Sequence, residues 1–200
     1  MRKRALRVSR AAVDVPILWG RLTDEKLSAA LDDAKRADFS YSGLGMTRTN
    51  APTGYRAEMR SVMLGADEDT WGRAVAGLRL WEAHRAAGAN VVPPDASILE
   101  GTTVLATLSV PGCTMVAPCR VVYVTDDADV FGFAYGTLEG HPAEGEESFL
   151  VRRVDGTVHF DVVAMSRPGS LLTRLGGPVT RLVQSRMTER YLKGLAAFVA

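Results

Sequence analysis

Reactive side chains crowd the stretch Phe131–Phe149, FGFAYGTLEGHPAEGEESF, among them Tyr135, Thr137, His141, Glu144, Glu146 and Glu147. A histidine titrates near neutral pH, so His141 suits a general acid or base. Glu146 and Glu147 are consecutive, and consecutive side chains on a strand point to opposite faces. Parity with Phe149 puts Glu147 on the aromatic face. Tyr135, on the preceding strand, can donate a hydrogen bond to a ligand carbonyl. The candidate catalytic set is therefore Tyr135, His141 and Glu147. A structural reading competes with it. The stretch is then a well-specified hairpin, with His141 capping backbone carbonyls and Glu146 or Glu147 paired to Arg152 or Arg167.

Other motifs carry less. There is no G-x-S-x-G elbow, H-E-x-x-H pair or phosphate loop. No two of the 3 histidines share a motif, so no metal site is expected, and no cofactor. Gly43 and Gly45 begin a dinucleotide-like pattern, but Arg48 takes the place of its third glycine; a turn into a strand fits better. Asp126, Asp127 and Asp129 lack the glycine and closing glutamate of a calcium loop and read as a solvated turn. Cys113 and Cys119 read as structural thiols. His84 follows Trp81 by three positions, at the buried edge of a helix, and reads as a core histidine bonded to backbone.

The formal charge of +1 is too balanced for a nucleic-acid binder, and 46% hydrophobic residues suffice for a sizeable core. No apolar run approaches the roughly 20 residues of a membrane span, so stable insertion is not expected. The expected location is cytoplasmic. Basic residues cluster at Arg2–Arg10 and along the last third of the chain.

The elements that position the candidate residues follow from periodicity. Thr23 caps a helix ending near Ala37, with Asp24 and Glu25 in its first turn. Residues 1–37 form an N-terminal extension and residues 38–200 the main domain. Tyr55–Leu64 alternates and reads as a strand, with Tyr55, Ala57, Met59, Ser61 and Met63 on one side. Asp67 or Asp69 opens a helix to Ala87, weakened by Gly72 and Gly77 and stopped by Gly88. Strands then follow at Ile98–Val110, up to Thr125, Val130–Thr137, Glu146–Val154 and Thr157–Ser166. From Pro178, Val179, Val183, Met187, Tyr191, Leu195 and Phe198 mark a long amphipathic helix, with Arg186, Arg190 and Lys193 opposite.

This order reads as α+β: a curved antiparallel sheet gripping a long C-terminal helix, with a cavity between them. Phe131, Phe133, Tyr135, Thr137, Glu147, Phe149, Val183 and Met187 are the expected ligand-facing residues. The topology resembles the helix-grip fold of the START, Bet v 1 and polyketide-cyclase superfamily, which hosts carriers, receptors and enzymes alike. Four further segments carry a closer resemblance: Tyr135–Phe149, Ser166-Arg-Pro168, Gly-Gly-Pro178 and Tyr191-Leu192. With Tyr41-Ser-Gly-Leu-Gly45, Gly65 and Trp81 upstream, they resemble an uncharacterised family, domain of unknown function nineteen-ninety, over about residues 38–196. That resemblance implies no activity. The expected function is binding of a small hydrophobic or amphipathic molecule. One alternative is an enzyme of cyclase, dehydratase or hydrolase type. The other is a membrane-surface or protein interaction module using the basic helix.

Overall fold

The computed structural model describes residues 17–19, 23–110, 113–169 and 177–200, with side chains at 23–109, 114–169 and 184–200. The basic N-terminal cluster, the Pro111-Gly112 turn and the helical turn expected at Leu171–Leu175 lie outside the described residues. The strands are β1 (Ile17–Trp19), β2 (Arg56–Gly65), β3 (Ala89–Val92), β4 (Thr103–Val110), β5 (Cys113–Asp127), β6 (Val130–Thr137), β7 (Ala143–Val154) and β8 (Thr157–Pro168). The helices are α1 (Asp24–Arg36), α2 (Glu68–Arg79), α3 (Glu82–Ala86) and α4 (Gly177–Val199). The strands form one antiparallel sheet in the order β2-β8-β7-β6-β5-β4-β3, with β1 beside the start of β5. A register shift between Val121 and Tyr123 marks a bulge in the long strand β5.

The two faces of the sheet have different covers. On the inner face, α2, α3 and α4 bury Trp81, Phe133, Phe149, Phe160 and Leu195 in one core. Gly77 of α2 lets α4 approach closely: a β-carbon there would fall 2.6 Å from Leu195 Cδ1. On the outer face, the apolar stripe of α1 (Leu27, Ala30, Leu31 and Ala34) packs on Leu105, Val116 and Leu138. Thr23 caps α1 through Lys26 N–H, as its sequence predicts.

Three expectations change. The helix after Asp67 does break, but not at its glycines. The break is at Trp81, which adopts the left-handed region at φ 60° and starts α3 in a new direction. Ile98–Thr102 is not strand; β4 begins at Thr103, and the short strand β3 precedes it. On β2 the buried face is the opposite one. Met59 and Met63 are exposed, whereas Glu58, Val62 and Leu64 are half-buried. The inner side of this edge strand meets a polar part of α4, where Arg60 Nη2 donates to Ser185 Oγ at 2.6 Å. Charged residues therefore face inward there.

The loop at Tyr41–Thr47 is neither a cofactor loop nor a turn into a strand. It wraps the outer face and converges on Glu146, which is 2% exposed. Tyr41 Oη and Gly45 N–H both donate to Glu146 Oε2 at 2.8 Å. Thr47 N–H donates to Oε1 at 3.0 Å, and the Thr47 hydroxyl donates to the same oxygen. Gly136 lies opposite Glu146 on β6, and any side chain there would overlap Tyr41. The clamp fixes the start of β7, and with it the position of the next residue, Glu147. Glu146→Ala leaves these donors without an acceptor in a buried place. It is expected to cost about 3 kcal/mol, roughly 6–12 °C in melting temperature by calorimetry. A loss under about 1 kcal/mol contradicts the clamp.

Candidate functional site

The inner face is solid at one end and hollow at the other. Where aromatic residues line β6 and β7, α2 and α3 close over them. Toward the far ends of β4, β5 and β8 the inward residues include the small Ala106, Ala117, Cys119 and Ala164, with Leu108 and Met115 beyond them. Ala106 and Ala117 are direct partners across β4 and β5. Across this gap α4 presents Gln184, Met187, Thr188 and Tyr191. The result is a cavity of about 390 Å³, mostly apolar, between the sheet and α4. Arg56 and Glu58 of β2 and the His141–Ala143 turn also line it.

The polar centre of the cavity is Glu147. Tyr135 is its direct partner in the β6–β7 register, and Tyr135 Oη donates to Glu147 Oε2 at 2.9 Å. Burial raises the Glu147 carboxyl to about 7, the Tyr135 hydrogen bond holds it back, and the charge of Glu58 raises it further. Behind Tyr135 lies His84 of α3, 1% exposed, with Nε2 at 3.2 Å from Tyr135 Oη. Burial pushes His84 down to about 3, so the ring is neutral at physiological pH. Tyr135 has a single proton and gives it to Glu147. While Glu147 is ionised and accepts that proton, the matching His84 tautomer carries its proton on Nε2 and donates to Tyr135. Phe149 and Tyr191 hold the imidazole, with ring centroids at 4.7 and 4.9 Å. Burial and the adjacent carboxylate raise the phenols of Tyr135 and Tyr191 well above the usual range, so both stay protonated.

The three candidate catalytic residues thus line one cavity, but they are not one chemical unit. His141 Nδ1 lies 3.0 Å from Ala143 N–H and 2.9 Å from Ala143 C=O, so the ring is engaged with its own turn. Burial lowers it to about 4, although its contact with Ala143 works the other way. The hairpin's ion pairs also differ from expectation. Arg167 pairs with Glu144 at 2.7 Å, and Arg152 with Asp161. Among the expected ligand-facing residues, Tyr135, Thr137, Glu147 and Met187 line the cavity. Phe131, Phe133 and Phe149 do not: they are at most 3% exposed, in the core closed by Trp81 and His84. Alternation gives the face of a strand, not which part of that face a helix covers. The Val183 side chain lies outside the described residues.

Sequence reasoning missed His84, Tyr191, Glu58 and the alanine wall. His84 is bonded to the Tyr135 side chain, not to backbone. Its signal was a lone polar residue within an apolar stripe. Tyr191 stands one helical turn beyond Met187 and shares its face. The facing alanines are visible only once the β4–β5 register is known.

Sheet, gripping helix and the cavity between them define a helix-grip fold. The chain belongs to the family described as "Domain of unknown function (DUF1990)", which matches residues 40–194. It is 26% identical over 187 residues to a UPF0548 protein of Dictyostelium discoideum, covering 82% of this chain and 87% of that one. A UPF0548 protein of Deinococcus radiodurans is 40% identical over 77 residues, covering 38% of this chain and 39% of that one. Among solved structures, an aromatase/cyclase from Streptomyces sp. R1128 superposes with a TM-score of 0.52 at 18% identity, covering 72% of this chain and 93% of that one. A hypothetical protein from Helicobacter pylori gives 0.51 at 15% identity, covering 72% and 88%. These structural likenesses establish the fold. Among the described residues no helix is long and apolar enough to cross a membrane.

The position of Glu147 has a measurable consequence. Its carboxyl titrates near 4.5 when unperturbed and near 7 in the fold. The folded state therefore favours the protonated form. That contribution is full below about pH 4.5 and is lost as pH rises through about 7. Glu147→Gln mimics the protonated form and has no such loss. Its melting temperature should rise relative to wild type between about pH 5 and 8, by on the order of 2 kcal/mol or roughly 4–8 °C once water in the cavity screens the charge. His84 and His141 act with the opposite sign, losing stability as pH falls below about 6.5, but they are common to both proteins and cancel. A difference that does not change with pH contradicts the assignment.

Proposed function

We propose that this protein binds a small hydrophobic or amphipathic molecule in the cavity between the sheet and α4. The observation that carries this reading is the cavity itself, about 390 Å³ with apolar walls and one carboxylate at its polar centre. Its volume falls within the range of about 300–1,000 Å³ typical of small-ligand sites. Filling so large a gap with bulkier side chains would add buried apolar area, yet Ala106, Ala117 and Ala164 stand where larger residues would close it.

A second reading, acid–base catalysis on such a molecule, draws on Glu147 and Tyr135. A carboxyl raised to about 7 exchanges protons readily at neutral pH, and the Tyr135 phenol is a fixed donor beside it. His84 would orient Tyr135, while His141 shapes the rim. An interaction role for α4 would use Arg186, Arg190 and Lys193, which are exposed; Lys193 is paired with Glu189 at 2.7 Å. None of these residues lines the cavity, so this role is independent of the binding site.

Native mass spectrometry of gently purified protein should show a retained small molecule. Ala117→Phe, which fills the gap between β5 and α4, should abolish retention while leaving the melting temperature unchanged or higher. If wild type retains nothing and binds no apolar probe such as Nile red, the binding reading is overturned.

A further inference from the structure

The charged groups around the cavity differ in how they are satisfied. Glu146 has its donors from the Tyr41–Thr47 loop on the far side of the sheet. Glu58 is paired with Arg60 at 2.9 Å and with Arg56 at 3.5 Å. Glu147 has Tyr135 alone among the described residues, through one oxygen. The groups facing it are Glu58 on β2, Cys119 on β5, Tyr135 on β6 and Tyr191 on α4, with neutral His84 behind Tyr135. None of these supplies a positive charge. Arg56, the cationic residue of the lining, is engaged by Glu58 at the exposed rim. The cavity thus presents an apolar channel with an uncompensated carboxylate at its polar pole.

We propose that the ligand of this cavity carries a protonated amine that seats on Glu147, with its apolar body along Ala106, Ala117 and Met187. The proposal rests on the binding reading above and names the chemistry of the head group. An ammonium supplies both missing elements, a positive charge and N–H donors for the free Glu147 oxygen, in a low-dielectric place where the attraction is strong. A hydroxyl supplies a donor and leaves the charge uncompensated. A carboxylate head would face Glu147 and Glu58 together and be repelled. Binding the amine also stabilises ionised Glu147, so binding must expel the proton that this carboxyl holds near neutral pH.

Octylamine, 1-octanol and octanoate share one chain length and differ only in the head. Isothermal titration of each into the full-length protein at pH 8 should give octylamine an affinity at least about tenfold above octanol, with octanoate weakest. Glu147→Gln should bring octylamine down to the level of octanol. Circular dichroism of the variant checks that it is folded. In wild type at pH 7, repetition in buffers of different ionisation enthalpy should show about half a proton released per octylamine bound, because a carboxyl titrating near 7 is half protonated there. Equal affinity for amine and alcohol, a preference surviving in Glu147→Gln, or no proton release overturns the amine assignment and leaves cavity binding standing. If none of the three binds, the amine assignment and the cavity-binding reading fall together.

Discussion

Two carboxylates enter the protein side by side at the start of β7, and the pleat of the strand sends them to opposite faces of the sheet. Taking a carboxylate out of water costs several kcal/mol unless donors replace the water. For Glu146 the replacement is thorough: a phenol, a hydroxyl and two backbone amides close on it, and the loop that brings them is thereby bound to the sheet. For Glu147 it is partial, one phenol from the neighbouring strand. The remaining cost appears as a carboxyl that holds its proton to about 7. The outer carboxylate organises the fold, and the inner one stands with a single donor at the polar centre of the cavity.

The rest of the inner face explains why that inner carboxylate meets a cavity instead of packed side chains. The kink at Trp81 turns α3 so that His84 lands behind Tyr135, and Trp81 stacks edge-on against Phe133 with centroids at 4.9 Å. This end of the sheet is thereby sealed. Beyond it, α4 continues across the sheet, but the strands beneath carry alanines. A single helix therefore serves as core element at Leu195 and as cavity wall at Met187 and Tyr191. The aromatic end supplies the rigidity that holds the His84–Tyr135–Glu147 chain in place.

Much of this was legible in the sequence where a short-range rule governs. Period-two alternation separated Glu146 from Glu147. Caps placed the start of α1 at Thr23 and that of α2 at Asp67 or Asp69, of which Asp67 is the cap. The order of elements gave the helix-grip topology. What failed depended on contacts distant in sequence. The exposed methionines of β2 reverse the usual rule because the inward side of that edge strand meets charged and polar partners at the cavity and on α4. Phe131, Phe133 and Phe149 share a face with Tyr135 but are sealed in the core, away from the cavity that Tyr135 reaches. The anion-binding loop at Gly43–Thr47 resembled half of a cofactor motif because its amides do bind a carboxylate, one supplied by the chain itself.

The chemistry of the cavity depends on the ionisation of Glu147. Its side-chain carboxyl carbon can be followed by carbon-13 NMR through a pH titration of the folded protein. The expected midpoint is near 7 in wild type and higher in Tyr135→Phe, where the hydrogen bond that favours the ionised form is gone. A wild-type midpoint in the ordinary carboxylate range, near 4.5, would contradict it.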